Sequence, residues 1–181
     1  MPHYKLMQKK TVFITGGTGN MGWAGFQELY SRRDRFDIRL LARDSKKNHK
    51  LLKPYLNDPS VTVIWGDLMR YDDVLQGVTG ADYVLHVGGM VSPAADYYPE
   101  KTLKVNVGSA ENVVKAVLAQ PNASEIKVVY IGSVAQYGDR NPPHHWGSTD
   151  DPQIPAAYDM YALSKIRSED QHCAGCFPFQ Y

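Results

Sequence analysis

"TGGTGNMG" (residues 15–22) decides the fold. It follows the apolar run "TVFIT" (11–15) and opens a helical pattern from about Met21. Gly17, Gly19 and Gly22 satisfy G-x-G-x-x-G, while Gly16, Gly19 and Gly22 satisfy G-x-x-G-x-x-G. Either spacing supplies a tight turn, brings backbone amides to a pyrophosphate without an intervening Cβ, and lets helix and strand pack closely. Alone, such a pattern is weak. Between a strand and a helix it predicts a dinucleotide loop made of Gly16, Gly17, Gly19, Asn20, Met21 and Gly22.

Further apolar runs repeat the alternation: "DIRLLAR" (37–43), "VTVIWGD" (61–67), "DYVLHVGG" (82–89) and "KVVYIGS" (127–133). Helical stretches separate them, among them "YDDVLQGV" (71–78) and "TLKVNVGSAENVVKAVLAQ" (102–120). Strands that read as continuous Val/Ile/Leu runs between helices predict a parallel sheet covered on both faces, a doubly wound α/β domain of five strands. The segment "GDRNPPHHWGSTDDPQIPAAYD" (138–159) reads as an irregular loop before the last helix.

Composition narrows the function classes. Lys+Arg (20) nearly balances Asp+Glu (19) in a chain of 181 residues, which gives no reason to expect nucleic acid or an acidic membrane as partner. No apolar run approaches bilayer length, and "MPHYKLMQKK" lacks the apolar stretch of a signal peptide, so the expected setting is cytoplasmic. Only Cys173 and Cys176 are present, so no disulfide framework holds the fold; the pair is short of the four ligands of a zinc site, and His144 and His145 in the Pro-rich loop lack further ligands at suitable spacing. No metal is expected. His86, inside an apolar strand, reads as a satisfied core histidine.

In this frame the chemistry falls to Ser133, Tyr161 and Lys165. A free phenol titrates near pKa ~10, too high for efficient proton exchange at neutral pH, so a fixed cation must favour the phenolate. In "YALSK" (161–165) the i, i+4 spacing sets the lysine on the tyrosine's face of a helix. Ser133, at the carboxyl end of the fifth strand, is placed to hydrogen-bond a substrate oxygen. Arg43, at the end of the second strand, stands where an acidic residue would grip the ribose of NAD; it tips the NAD(P) reading toward NADP, although the adjacent Asp44 can mimic that acidic residue. Asp67 lies at the carboxyl edge of the sheet, with an adenine contact and a helix N-cap as its competing roles.

These motifs, in order from residue 11 to 165, resemble the short-chain dehydrogenase/reductase superfamily, in its extended NAD-dependent epimerase/dehydratase type. The resemblance rests on "TGGTGNMG", "GDL", "VLHVGG", "NVGSAENVVKA", "YIGSVAQYG" and "YALSK". It implies that Asp67 and Leu68 hold the adenine, that Gly88 joins the cofactor site, that Lys165 also reaches the nicotinamide ribose, and that Asn106 supports a helix kink and a water-linked proton path to Lys165. It implies an NAD(P)-dependent oxidoreductase or epimerase/dehydratase acting on a nucleotide sugar, a sterol-like compound or another small hydroxylated substrate. The alternative is a dinucleotide-binding module without turnover.

The family continues beyond the Y-x-x-x-K helix with a sixth strand and a substrate domain. In "SEDQHCAGCFPFQY" (168–181), Gly175 and Pro178 interrupt the helix pattern and no amphipathic period continues. The expectation is a Rossmann domain over 1–169 and an irregular, possibly non-native tail over 170–181, in a chain shortened relative to its family and impaired by it. The fifth strand would then be an open sheet edge, which invites a homodimer.

Overall fold

The computed structural model describes residues 8–139 and 148–175. Five strands, β1 (Lys10–Thr15), β2 (Phe36–Ala42), β3 (Val61–Trp65), β4 (Tyr83–His86) and β5 (Lys127–Tyr130), form one sheet in the order β3-β2-β1-β4-β5. Every pairing is parallel. The doubly wound parallel α/β fold expected from the sequence is therefore the observed one.

Alternate residues of each strand feed two cores. Phe13, Leu41, Ile64 and Val84 pack with Val74 and Val78 of α3 (Tyr71–Val78) and Val113 and Val117 of α5 (Pro99–Leu118). Ile14, Ile38 and Leu40 turn to the other face, against Phe26 of α1 (Asn20–Ser31) and Leu52 of α2 (Lys46–Leu52). Each such side chain, taken fully out of water, contributes about 1.5–3 kcal/mol. A short helix α4 (Ala94–Tyr97), which the sequence does not predict, precedes α5.

Register then aligns the strand ends. Thr15 pairs with Leu41 and with His86, and His86 with Tyr130, so the loops after β1, β2, β4 and β5 leave the sheet at one edge. In open α/β sheets that carboxyl edge is where ligands bind.

The boundary at Glu169 needs correction. Helix α6 runs Met160–Gly175, so residues 170–175 are helical rather than irregular. The inward stripe is polar: Ser164, Ser168 and His172, spaced i, i+4, i+8, are all buried. The period is intact in geometry and absent in hydropathy, which is why a hydrophobic-pattern reading stops too early. The small serines also let α6 lie close on α5, and Ser168 Oγ donates to Ser164 O (2.7 Å) within the helix. Residues 176–181, including Cys176, lie outside the described residues, as do His144, His145 and Trp146.

Candidate active site

The glycine loop closes tightly. Gly16 has φ +69°, and a Cβ there would sit 2.6 Å from Gly88 Cα, while a Cβ on Gly22 would overlap Gly16 O. These two glycines are demanded by the turn itself. Gly19 differs: its φ of −90° suits any residue, and a Cβ would meet only Gly16 O, at 3.4 Å. Its lack of a side chain is not required by the fold and leaves open the space in front of α1. There the first intrahelical bond runs from Trp23 N to Gly19 O (2.7 Å), no side chain caps the helix, and no acidic residue stands in its first turn. The amides of Asn20, Met21 and Gly22 precede that bond and form an anion-attracting end.

Two contiguous hollows extend from this loop along the sheet edge. One, about 460 Å³, is lined by Arg43, Asp67 and Leu68; the other, about 370 Å³, by Asn20, Met21, Tyr161 and Lys165. Gly16, Gly88, Gly89 and Met90 line both. A Cβ on Gly88 would press on Leu68 Cδ1 at 2.5 Å, so this position is held close against the wall of the first hollow. Of the predicted cofactor residues, Gly16, Gly19, Asn20, Met21, Gly22, Arg43, Asp67, Leu68, Gly88 and Lys165 line these two hollows; Gly17 lines neither, and a Cβ on it would meet Leu40 Cδ1 at 2.6 Å.

At the first hollow, Asp67 Oδ1 accepts from Met69 N (2.8 Å), while Arg70 occupies the N-cap position of α3 with no side-chain capping bond. The N-cap reading of Asp67 is therefore set aside, and it remains in the cleft wall. Asp44 is held by His49 Nε2 (2.8 Å), and that imidazole stacks on Trp65 with ring centroids 3.9 Å apart.

At the second hollow, Asp159 starts α6 by accepting from Ala162 N (2.8 Å), and the helix presents Tyr161 and Lys165 to the cleft. Lys165 is buried, its Nζ 4.3 Å from the centroid of the Tyr130 ring. Burial pushes its ammonium down to about 8, against the opposing charge of Glu169. Burial likewise pushes the Tyr130 phenol up to about 12. Ser133 does not line this hollow; its Oγ accepts from Ala135 N (3.2 Å) as the cap of a 3-10 turn over Val134–Tyr137, and its own proton remains to be donated.

A family model described as the NAD dependent epimerase/dehydratase family matches residues 12–173. The chain belongs to that family. UDP-glucose 4-epimerase of Rickettsia felis is 32% identical over 128 residues, which are 68% of this chain and 36% of that enzyme. The enzyme of the same name from Rickettsia bellii is 33% identical over 111 residues, 59% of this chain and 32% of that one. The chain thus spans about a third of the length of these relatives. The Bordetella bronchiseptica enzyme WbmH, solved in complex with NAD+, shares the fold with a TM-score of 0.73 at 24% identity, over 93% of this chain and 53% of that one.

The family match reaches beyond the boundary drawn at Glu169, in agreement with the continued helix. Asn106 lies in the middle of α5. It is buried; its Oδ1 accepts from Met90 N (2.7 Å), and its Nδ2 donates to Met90 O (3.0 Å) and to Ser164 Oγ (2.8 Å). With both amide hydrogens engaged, Asn106 clamps the loop after β4 to α6, and α5 continues through it without interruption. His86 is the core histidine expected: Nδ1 lies 2.8 Å from Thr15 Oγ1, and burial pushes the imidazole down to about 3. His172 went unread in the sequence. It is buried against Tyr130, ring centroids 4.6 Å apart, and neither ring nitrogen has a hydrogen-bond partner among the described residues. Among those residues no three His, Cys, Asp or Glu are grouped to hold a metal, and no helix is long and apolar enough to cross a membrane.

Proposed function

We propose that this chain carries the dinucleotide site and the proton-transfer residues of an NAD(P)-dependent epimerase or dehydratase acting on a nucleotide sugar. The observation that carries the reading is that the amide end of α1 and the pair Tyr161 and Lys165 wall the same hollow. The nicotinamide, when bound, would supply the hydride acceptor or donor. Tyr161 would take the proton from a sugar hydroxyl and return it, with Lys165, cationic below about pH 8, stabilising the phenolate. Ser133 would donate its hydroxyl proton to the substrate oxygen. The nucleotide-sugar class is drawn from the Rickettsia relatives, which are named as UDP-glucose 4-epimerases.

A second reading, a binding module without turnover, is favoured by one observation: Ser133 does not line the hollow that Tyr161 and Lys165 share. Turnover of UDP-glucose or UDP-galactose, followed by product separation with added NAD or NADP, distinguishes the two. The first reading expects activity reduced at least about a hundredfold in Tyr161→Phe, since the variant keeps the ring and loses the transferable proton. Cofactor binding with no turnover in the wild-type chain would favour the module.

Arg43 bears on the choice of cofactor. It is exposed in the wall of the adenine-side hollow, while Asp44 beside it is occupied by His49. A guanidinium gains far more from a phosphate than from a hydroxyl, so this pair supports NADP. Arg43→Ala should weaken NADP by roughly tenfold and NAD little, read by calorimetry. A wild-type preference for NAD, the cofactor in the family's description and in the WbmH structure, would overturn this part of the reading. The homodimer belongs to the same proposal: β5 is an outer strand of the sheet, and Val129 on it is 47% exposed.

A further inference from the structure

One carboxylate on α6 reaches two segments that the chain leaves far apart. Glu169 Oε2 accepts a hydrogen bond from Gln136 Nε2 and another from Gln153 Nε2 (3.2 Å). Gln136 is 2% exposed, and its Oε1 accepts from the backbone N–H of Ser133 (2.7 Å). The amide therefore has Ser133 on its oxygen and Glu169 on its nitrogen. An unbroken line of hydrogen bonds runs from α6, the helix of Tyr161 and Lys165, through Gln136 to Ser133.

We propose that Glu169 is a positioning residue for the proton-transfer set: through Gln136 it fixes the turn that carries Ser133 relative to the helix that carries Tyr161 and Lys165. The role rests on the proton-transfer reading of those three residues. Ser133 belongs to a loop beyond a strand of only four residues, and its capping bonds are local. The Gln136 link is what refers the turn to α6. Because Gln136 is buried, losing its partner leaves a polar group without compensation, and the turn relaxes until water can satisfy it.

Glu169 has a second effect that separates its charge from its hydrogen bonds. It raises the Lys165 pKa, opposing the burial that lowers it. Around Lys165 stand Glu169 and His172 of α6, Tyr130 of β5 and His86 of β4, the histidines being neutral above about pH 4. Glu169 is the one anion in that set. Glu169→Gln keeps an oxygen that can accept from Gln136 and removes the charge; Glu169→Ala removes both.

Backbone amide exchange of the whole chain, with the titration of its lysine ammonium groups followed by NMR, tests this. Ser133 N–H should exchange roughly tenfold faster in Glu169→Ala and Gln136→Leu, and stay protected in Glu169→Gln. The Lys165 midpoint should move to lower pH in Glu169→Gln and Glu169→Ala but hold in Gln136→Leu. Protection of the β1 and β4 amides reports the fold; should Glu169→Ala lose it, Gln136→Glu, which keeps an acceptor for the Ser133 N–H and loses the donor to Glu169, reads the link from its other end and should also speed Ser133 exchange. Unchanged Ser133 exchange in a folded Glu169→Ala or Gln136→Glu would overturn the proposal, and so would loss of protection in Glu169→Gln equal to that in Glu169→Ala. Neither measurement requires cofactor. A wild-type chain that binds neither NAD nor NADP would instead overturn the dinucleotide reading and leave the exchange result standing.

Discussion

Gly19→Val should abolish dinucleotide binding and leave the fold intact. The backbone at Gly19, φ −90° and ψ 173°, is open to any residue, and an added Cβ meets only Gly16 O at 3.4 Å. The isopropyl group would stand in front of the N–H groups of Asn20, Met21 and Gly22, where a pyrophosphate must come within hydrogen-bond distance. The expected loss is at least about a hundredfold in affinity, roughly 2.7 kcal/mol. Calorimetry with NAD and NADP reads the affinity, and urea unfolding reads the fold. Gly22→Val is the contrasting variant: its Cβ overlaps Gly16 O, so it should lower stability by several kcal/mol whether or not ligand is present. Equal damage to stability from both substitutions would show that Gly19 serves the turn and not the ligand.

The second large effect is acid sensitivity. Burial pushes His86 down to about 3 and His172 to about 4, both well below the ordinary histidine value of 6.5. The unfolded chain therefore takes up protons that the folded chain refuses, and stability is lost as pH falls. It is fully present above about pH 6.5, declines by about 1.4 kcal/mol per pH unit for each histidine, and levels off below about pH 3. Asp82, where burial opposes ionisation but the Lys10 ammonium and the Thr11 amide outweigh it and hold the carboxyl below its usual range, adds a loss in the same direction but only at lower pH, where carboxylates titrate. Urea unfolding at pH 7, 6 and 5 should show a steep decline already in this upper window, against a total that for such domains is on the order of 5–15 kcal/mol.

His172→Phe sharpens the test. The variant keeps a ring against Tyr130 and removes two nitrogens that have no hydrogen-bond partner among the described residues, so it should be more stable than the wild type by about 1 kcal/mol at pH 7 and lose less on acidification. Equal stability at pH 7 and pH 5 in the wild type would contradict the burial of these histidines in neutral form.

What the sequence determined by itself is local or repeats along the chain. The β1 to α1 turn was legible because its glycines, its preceding strand and its helix are contiguous, and the requirement that produces them acts over eight residues. The five strands were legible because a sheet covered on both faces needs apolar residues at consecutive positions. Tyr161 and Lys165 were legible because one helix turn sets their spacing.

Tertiary structure alone decided the rest, where partners are far apart or the buried face is polar. Asn106 reads as a poor helix former in mid-helix until Met90 and Ser164, 16 and 58 residues away, are seen to use its amide. Gln136 reads as an ordinary polar residue until Glu169, 33 residues on, receives its hydrogen bond. The last turns of α6 were misread because Ser164, Ser168 and His172 carry no hydrophobic period, although all three are buried. Periodicity registers helix burial only where the buried side chains are apolar. Against α5 the space is narrow, small hydroxyl side chains that hydrogen-bond within their own helix fill it, and the inward face of α6 can be identified only from what it packs against.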